Sequence, residues 1–239
     1  MRYDWEISVE CIATVAKGLG DLLERVVFVG GATLGFYVDQ LPEKLMDVRG
    51  SEDVDLVVEI STRAHYADLE ASLRRRGFNH DQTPGAPICR FLFAGVKVDV
   101  MPTDPSILSF SNTWYSEGMK RPDTVEVPSG MHIKILSPPY FLAAKFEAFL
   151  GRGKKPGEYM YSRDLEDVVT LFDGRTPFVS EITATSEPLR SYLRDNIGTL
   201  LADAEFRYAI SALVKPDERA ANRIRIVRER MADALKHLS

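Results

Sequence analysis

Asp53, Asp55 and Asp99 are the residues whose type and spacing best suit chemistry. Asp53 and Asp55 stand two apart in Asp53-Val54-Asp55-Leu56-Val57-Val58, and Asp99 interrupts the apolar run Val96-Lys97-Val98-Asp99-Val100-Met101. In extended backbone, residues i and i+2 share a face, so the Asp53 and Asp55 carboxylates project together. Two anions that close repel each other unless water or a cation neutralises them. A hard divalent ion does this, and Mg²⁺ (or Mn²⁺) takes oxygen ligands. The same alternation sets Lys97, Asp99 and Met101 on one face and the valines on the other. If that strand lies beside the Asp53 strand, three carboxylates converge at one sheet edge. One or two Mg²⁺ ions held there by Asp53, Asp55 and Asp99 suit the clamping of a nucleoside triphosphate.

Around this acidic set lie residues suited to phosphate. Val29-Gly30-Gly31-Ala32-Thr33 follows an apolar run. Gly30 and Gly31 would let backbone approach a phosphate closely, and a helix starting there would add a favourable dipole. Alone, Gly-Gly after a strand is a turn and a lone Asp-x-Asp is weak; together they are more specific. Arg49 and Ser51 precede Asp53. Arg49 either holds a phosphate or is an exposed loop arginine. Ser51 either contacts or accepts a phosphoryl or nucleotidyl group, or is a turn residue bonding its own backbone.

The elements that must position these residues follow from periodicity. Ile7 to Leu23 has helical spacing, Val26 to Val29 is a buried strand, and Ala32 to Leu41 looks helical until Pro42. Asp53 to Ile60 is a strand, Thr62 caps a helix from Arg63 to Arg76, and Ala94-Gly95 turns a hairpin between Ile88–Phe93 and Val96–Met101. Loops around one short helix near Trp114 occupy 102–129, and His132 to Leu136 is a brief strand. After Ser137-Pro138, a helix start, the remainder reads as helices. The expected fold is α/β (α+β): a small mixed sheet in 1–136 flanked by helices, then a helical region in 137–239.

In the helical region, Leu142, Phe146, Phe149 and Leu150 make one apolar stripe with Lys145 beside it. Leu165, Val168, Val169 and Phe172 make another with Asp164 at its edge. Opposite charges at two buried margins suggest a pair. That pair either pins two helices or presents Lys145 to a triphosphate.

The succession Gly-Gly, Ser51-x-Asp53-x-Asp55 and the lone strand residue Asp99 resembles the nucleotidyltransferase superfamily related to DNA polymerase β. Lys145-Phe146-Glu147-Ala148 and Arg163-Asp164-Leu165-Glu166-Asp167 resemble the K-x-x-A … R-D-x-x-D segment of the AbiEii/AbiGii abortive-infection toxins, as does Arg49-x-Ser51-x-Asp53-x-Asp55. The resemblance runs from about residue 25 to 172. It implies a Mg²⁺-dependent transfer of a nucleoside monophosphate to an acceptor hydroxyl, an RNA or tRNA 3′ end for some members. Asp53, Asp55 and Asp99 would bind metal, with Asp99 the general base. Gly30, Gly31, Arg49, Ser51, Lys145, Arg163 and Asp164 would bind the nucleotide. A cognate antitoxin is the implied partner. A small-molecule acceptor and a non-catalytic nucleotide-binding or interaction module are the competing readings.

Composition narrows the classes. The 239 residues are 45% hydrophobic and 27% charged, with net charge −5, which excludes a disordered chain and a basic nucleic-acid coat. Cys11 and Cys89 make no disulfide framework, and His65, His80, His132 and His237 have no metal spacing. No membrane span is expected: the uncharged run Val26–Val38 is too short, and the N-terminus is no signal peptide, so a cytoplasmic protein is expected. Gly151-Arg152-Gly153-Lys154-Lys155 is a basic loop suited to a phosphate backbone or to solvent. Residues 215–239 carry seven basic against four acidic side chains, either an RNA-docking surface or a solvated helix face.

Overall fold

The computed structural model describes residues 4–46, 48–152 and 159–238, with Pro42 and Glu43 described by backbone only. Gly153, Lys154 and Lys155 of the basic loop lie outside the described residues. The strands are β1 (Val26–Val29), β2 (Asp53–Val58), β3 (Asn79–His80), β4 (Arg90–Phe93), β5 (Val96–Pro102), β6 (Asp123–Glu126) and β7 (His132–Ile135). The helices are α1 (Asp4–Leu19), α2 (Pro42–Leu45), α3 (Arg63–Arg75), α4 (Pro105–Leu108), α5 (Thr113–Gly118), α6 (Pro138–Gly151), α7 (Arg163–Gly174), α8 (Phe178–Thr183), α9 (Leu189–Ala202), α10 (Ala204–Leu213) and α11 (Ala220–Leu238). The chain forms two compact units, 1–35 with 49–137 and 36–48 with 138–239.

The first unit is built on a seven-stranded mixed sheet, ordered β3-β4-β5-β2-β1-β7-β6. β1 pairs antiparallel with β2, and β2 pairs parallel with β5 along its whole length. All four residues of β1 are buried, as its β-branched and aromatic sequence requires. β2 and β5 alternate: Val54, Leu56, Val98 and Val100 are buried, while Asp53, Asp55 and Asp99 are only partly covered and Lys97 is exposed. Burying each Val or Leu fully favours the fold by about 1.5–3 kcal/mol, which fixes which face the acids take. α1 packs on β2 and β5, and its Val9, Ile12, Val15 and Ala16 are buried. The hairpin turn has Ala94 at φ 49° and Gly95 at φ 84°, both left-handed, as a two-residue turn between twisted strands demands.

Two local expectations change. The segment after β1 is a 3₁₀ stretch, Gly31–Phe36, rather than an α-helix reaching Leu41. So short a segment has no developed helix dipole, so the dipole term expected beside Gly31 falls away. β6 is an extra, largely exposed edge strand within 102–129.

The second unit is helical. α6 packs on α7, and α11 packs on α7, α8 and α9. Ser162 caps α7 by accepting from Leu165 N, and Asp203 caps α10 by accepting from Glu205 N and Phe206 N. Phe36–Val48 belongs to this unit: Tyr37 packs on Phe141 with ring centroids 4.6 Å apart, and Arg175 donates to Tyr37 O. Among the described residues, no helix is long and apolar enough to cross a membrane.

Candidate active site

The site is set by register. Val29 lies opposite Asp55, Asp55 opposite Asp99, and Asp99 opposite Arg90, so one row crosses β1, β2, β5 and β4. Directly paired residues project to one face, so Asp55, Asp99 and Arg90 are neighbours. Asp53 shares that face two residues along β2 and stands opposite Lys97.

The two acids in register have different neighbours. Asp55 lies against Gly30, where a Cβ would meet the Asp55 Cγ at 2.9 Å. Gly30 also has φ +74°, a conformation that costs other residues. Asp99 turns to β4, where Arg90 Nε donates to Oδ1 at 2.7 Å and Arg90 NH2 to Oδ2 at 2.8 Å. That hydrogen-bonded fork raises the Arg90 pKa above its already high value. Burial, with the Asp99 charge second, pushes the neighbouring Cys89 thiol up to about 12.

The loop before β2 is tied to α1. Ser51 N donates to Ser8 Oγ at 2.7 Å, and a Cβ on Gly50 would strike the Asp4 carbonyl. The Ser51 hydroxyl donates to the Asp53 carbonyl at 3.2 Å, the turn geometry weighed for it above. Arg49 is half-buried in the same loop. Gly31 opens the 3₁₀ stretch, in which Thr33 Oγ1 donates to Gly30 O at 2.8 Å. On the other side of β5, the buried Tyr66 hydroxyl donates to Val100 O at 2.8 Å, and burial raises its pKa.

Do these residues suit a divalent cation? Asp53 and Asp55 do: two hard oxygen donors share one partly exposed face beside a glycine that leaves room. Asp99 was expected as a third ligand, but both of its oxygens accept from Arg90. Among the described residues, no group of three or more Asp, Glu, His or Cys side chains is gathered as a metal site.

A second cluster lies within the helical unit. Lys145 is buried on α6, its Nζ 2.6 Å from Asp167 Oδ2 and 3.5 Å from Asp164 Oδ1. The Phe141 ring centroid is 5.4 Å from the same Nζ. Arg152 pairs with Asp164 from the other side. Arg163 is exposed at the first position of α7. Sequence reasoning assigned Asp164 to Lys145 and gave no role to Asp167, the closer partner. Its signal was present, since Asp164 and Asp167 are three apart and share a helix face.

The basic stretch of 215–239 is largely committed internally. Arg223 pairs with buried Asp173, and Arg230 donates to the carbonyls of Phe172 and Asp173 at the end of α7. Arg228 donates to Arg207 O, Arg219 pairs with Asp217, Arg225 with Glu229, and Lys215 donates to Met46 O. Arg223 and Arg230 thereby lock α11 to the end of α7, while Arg225 and Arg228 stay exposed.

No protein-family model matches the chain, and no curated protein sequence matches it. Among solved structures, it is similar to the crystal structure of an antigenic nucleotidyltransferase-like protein from Paracoccidioides brasiliensis. The match has 17% identity and a TM-score of 0.52, covering 90% of this chain and 96% of that one. The mixed sheet with its helical remainder is therefore a nucleotidyltransferase-like fold.

Proposed function

We propose that this protein is a nucleotidyltransferase that moves a nucleoside monophosphate from a nucleoside triphosphate to an acceptor hydroxyl. One observation carries the reading: Asp53 and Asp55 share a face of β2, with Asp55 seated against the positive-φ Gly30. Fold alone never fixes an activity, so the weight rests on this arrangement. Asp53 and Asp55 are the residues that would hold Mg²⁺ or Mn²⁺. When bound, that ion supplies charge neutralisation and polarisation at phosphate oxygens.

In the reaction, the acceptor oxygen bonds to the α-phosphorus and the bond from that phosphorus to its bridging oxygen breaks. Pyrophosphate leaves with the bridging oxygen. The hydroxyl proton passes to a base, the role the resemblance implies for Asp99. The chain's own contribution is mainly positioning. Gly30 sets the place of Asp55, Arg90 sets Asp99, and Ser51 orders the turn entering β2. Within the helical unit, Asp167 and Asp164 neutralise the buried Lys145 ammonium and pin α6 to α7; a triphosphate-binding role for Lys145 has the resemblance as its support.

The finer reading is an AbiEii-type toxin acting on an RNA or tRNA 3′ end and restrained by an antitoxin. Its support is the Arg49-x-Ser51-x-Asp53-x-Asp55 and Lys145 … Arg163-Asp164 pattern. A small-molecule acceptor is the second reading. The internal commitment of Arg223, Arg228 and Arg230 favours it, because that stretch offers fewer cations to RNA.

The test is incubation with total tRNA, Mg²⁺ and each α-labelled nucleoside triphosphate in turn, against Asp53→Ala and Asp55→Ala controls. Label on RNA from the wild type alone supports the toxin-like reading. Label only on small molecules supports the second. Absence of label on either, with folded protein, overturns transfer.

A further inference from the structure

We infer that the acidic row of the sheet takes one divalent cation, not two, because Arg90 occupies Asp99 in place of a second ion. The inference rests on the nucleotidyl-transfer reading above and deepens it.

Asp99 is the carboxylate that a second ion would need, since only Asp53, Asp55 and Asp99 face that region from β2 and β5. Both Asp99 oxygens already accept from one guanidinium, at 2.7 and 2.8 Å, across a register pair of the β4–β5 hairpin. A bidentate fork of this kind is the strongest geometry available to an arginine and a carboxylate. The hairpin register keeps the two backbones adjacent, so the fork is re-formed within reach whenever the side chains return to these rotamers. Arg90 and Asp99 side chains are 20% and 14% exposed, so water screens the pair only weakly.

Charge leads to the same conclusion. Two divalent ions beside three carboxylates leave a net positive centre, and Arg90 would add a further fixed charge. A dication and a guanidinium a few ångströms apart repel strongly wherever water is partly excluded. In the nucleotide-free protein, one ion, the three carboxylates and Arg90 sum to zero.

Mn²⁺ binding to the full chain, counted by electron paramagnetic resonance and water-proton relaxation, tests this without turnover. The wild type should bind one Mn²⁺ per chain, and Asp55→Asn should lose it. The double variant Arg90→Gln/Asp99→Asn removes the ion pair as a pair and keeps a neutral hydrogen-bonding couple. It should bind one Mn²⁺ with affinity within about threefold of wild type. Arg90→Ala, shown folded by circular dichroism, should gain a second site. Two ions on the wild type, or a tenfold or larger loss of affinity in the double variant, would overturn the inference and leave the transfer reading intact. No Asp55-dependent Mn²⁺ at all would remove the metal-dependent reading itself. The double variant keeps the test decisive if Arg90→Ala does not fold.

Discussion

The Asp55 carboxylate rests directly against the α-carbon of Gly30, so the residue after β1 determines where the acid of β2 can stand. Gly30→Ala meets two obstacles. Its φ of +74° costs an L-residue about 1–2 kcal/mol, and its methyl would have to displace the carboxylate. We expect a loss of about 1–3 kcal/mol in urea unfolding, together with at least tenfold weaker Asp55-dependent Mn²⁺ binding. Unchanged metal affinity in a folded Gly30→Ala protein would disconnect the two residues.

The buried and exposed members of the Lys145 cluster should contribute unequally. Asp167 is fully buried and closer, so Asp167→Ala leaves an ammonium buried with weaker compensation and should cost about 3–5 kcal/mol. Arg152 is 70% exposed, and Arg152→Ala should cost about 1 kcal/mol or less. Urea midpoints at constant m-value give both numbers. Equal costs would refute the ranking.

The α11 cations divide in the same way. Arg223 and Asp173 are 8% and 4% exposed, so Arg223→Ala should cost about 3–5 kcal/mol. Arg225 and Glu229 are 58% and 60% exposed, so Arg225→Ala should change stability by about 0.5 kcal/mol or less. Thermal and chemical unfolding of the two variants decide it.

Cys89 should mark the alkaline side of the stability curve. Its folded pKa is pushed up to about 12 from an ordinary 9.0, so the native state keeps its proton after the unfolded chain has lost it. The contribution is complete below pH 9 and disappears as pH rises from 9 towards 12. Cys89→Ala should flatten the fall of stability over that window, with Tyr66→Phe as the control for the other raised acid. In the native wild type, Cys89 should also react with a thiol reagent much more slowly than Cys11 at pH 8. A steeper alkaline fall in Cys89→Ala would reverse the sign.

Much of the sheet is readable from the residues. Val26–Val29, the alternation through Asp53–Val58 and Val96–Met101, and the Ala94-Gly95 turn each carry a local signal that tertiary contacts reinforce. β6 carries none: Asp123-Thr124-Val125-Glu126 is a polar edge with no buried face to impose alternation. β3 is two residues long and exists through its pairing with β4. Arg90 was not legible as part of the site, because one arginine near the start of a strand looks like any solvent-facing charge. Only the hairpin register sets it opposite Asp99. The basic residues of α11 were legible as a charge excess, but not as helix locks, because their acceptors are mostly backbone carbonyls distant in sequence.

The grouping of Phe36–Val48 with the helical unit has a consequence for the order of synthesis. Arg175 reaches back 138 residues to the carbonyl of Tyr37, and Tyr37 itself packs on Phe141. At ribosomal speeds of about 5–20 residues per second, this segment waits on the order of ten seconds for the helices that cover it. The helical unit therefore does not close on its C-terminal residues alone. It must recapture a stretch translated long before, and a fragment starting at Pro138 would be born without part of its own core.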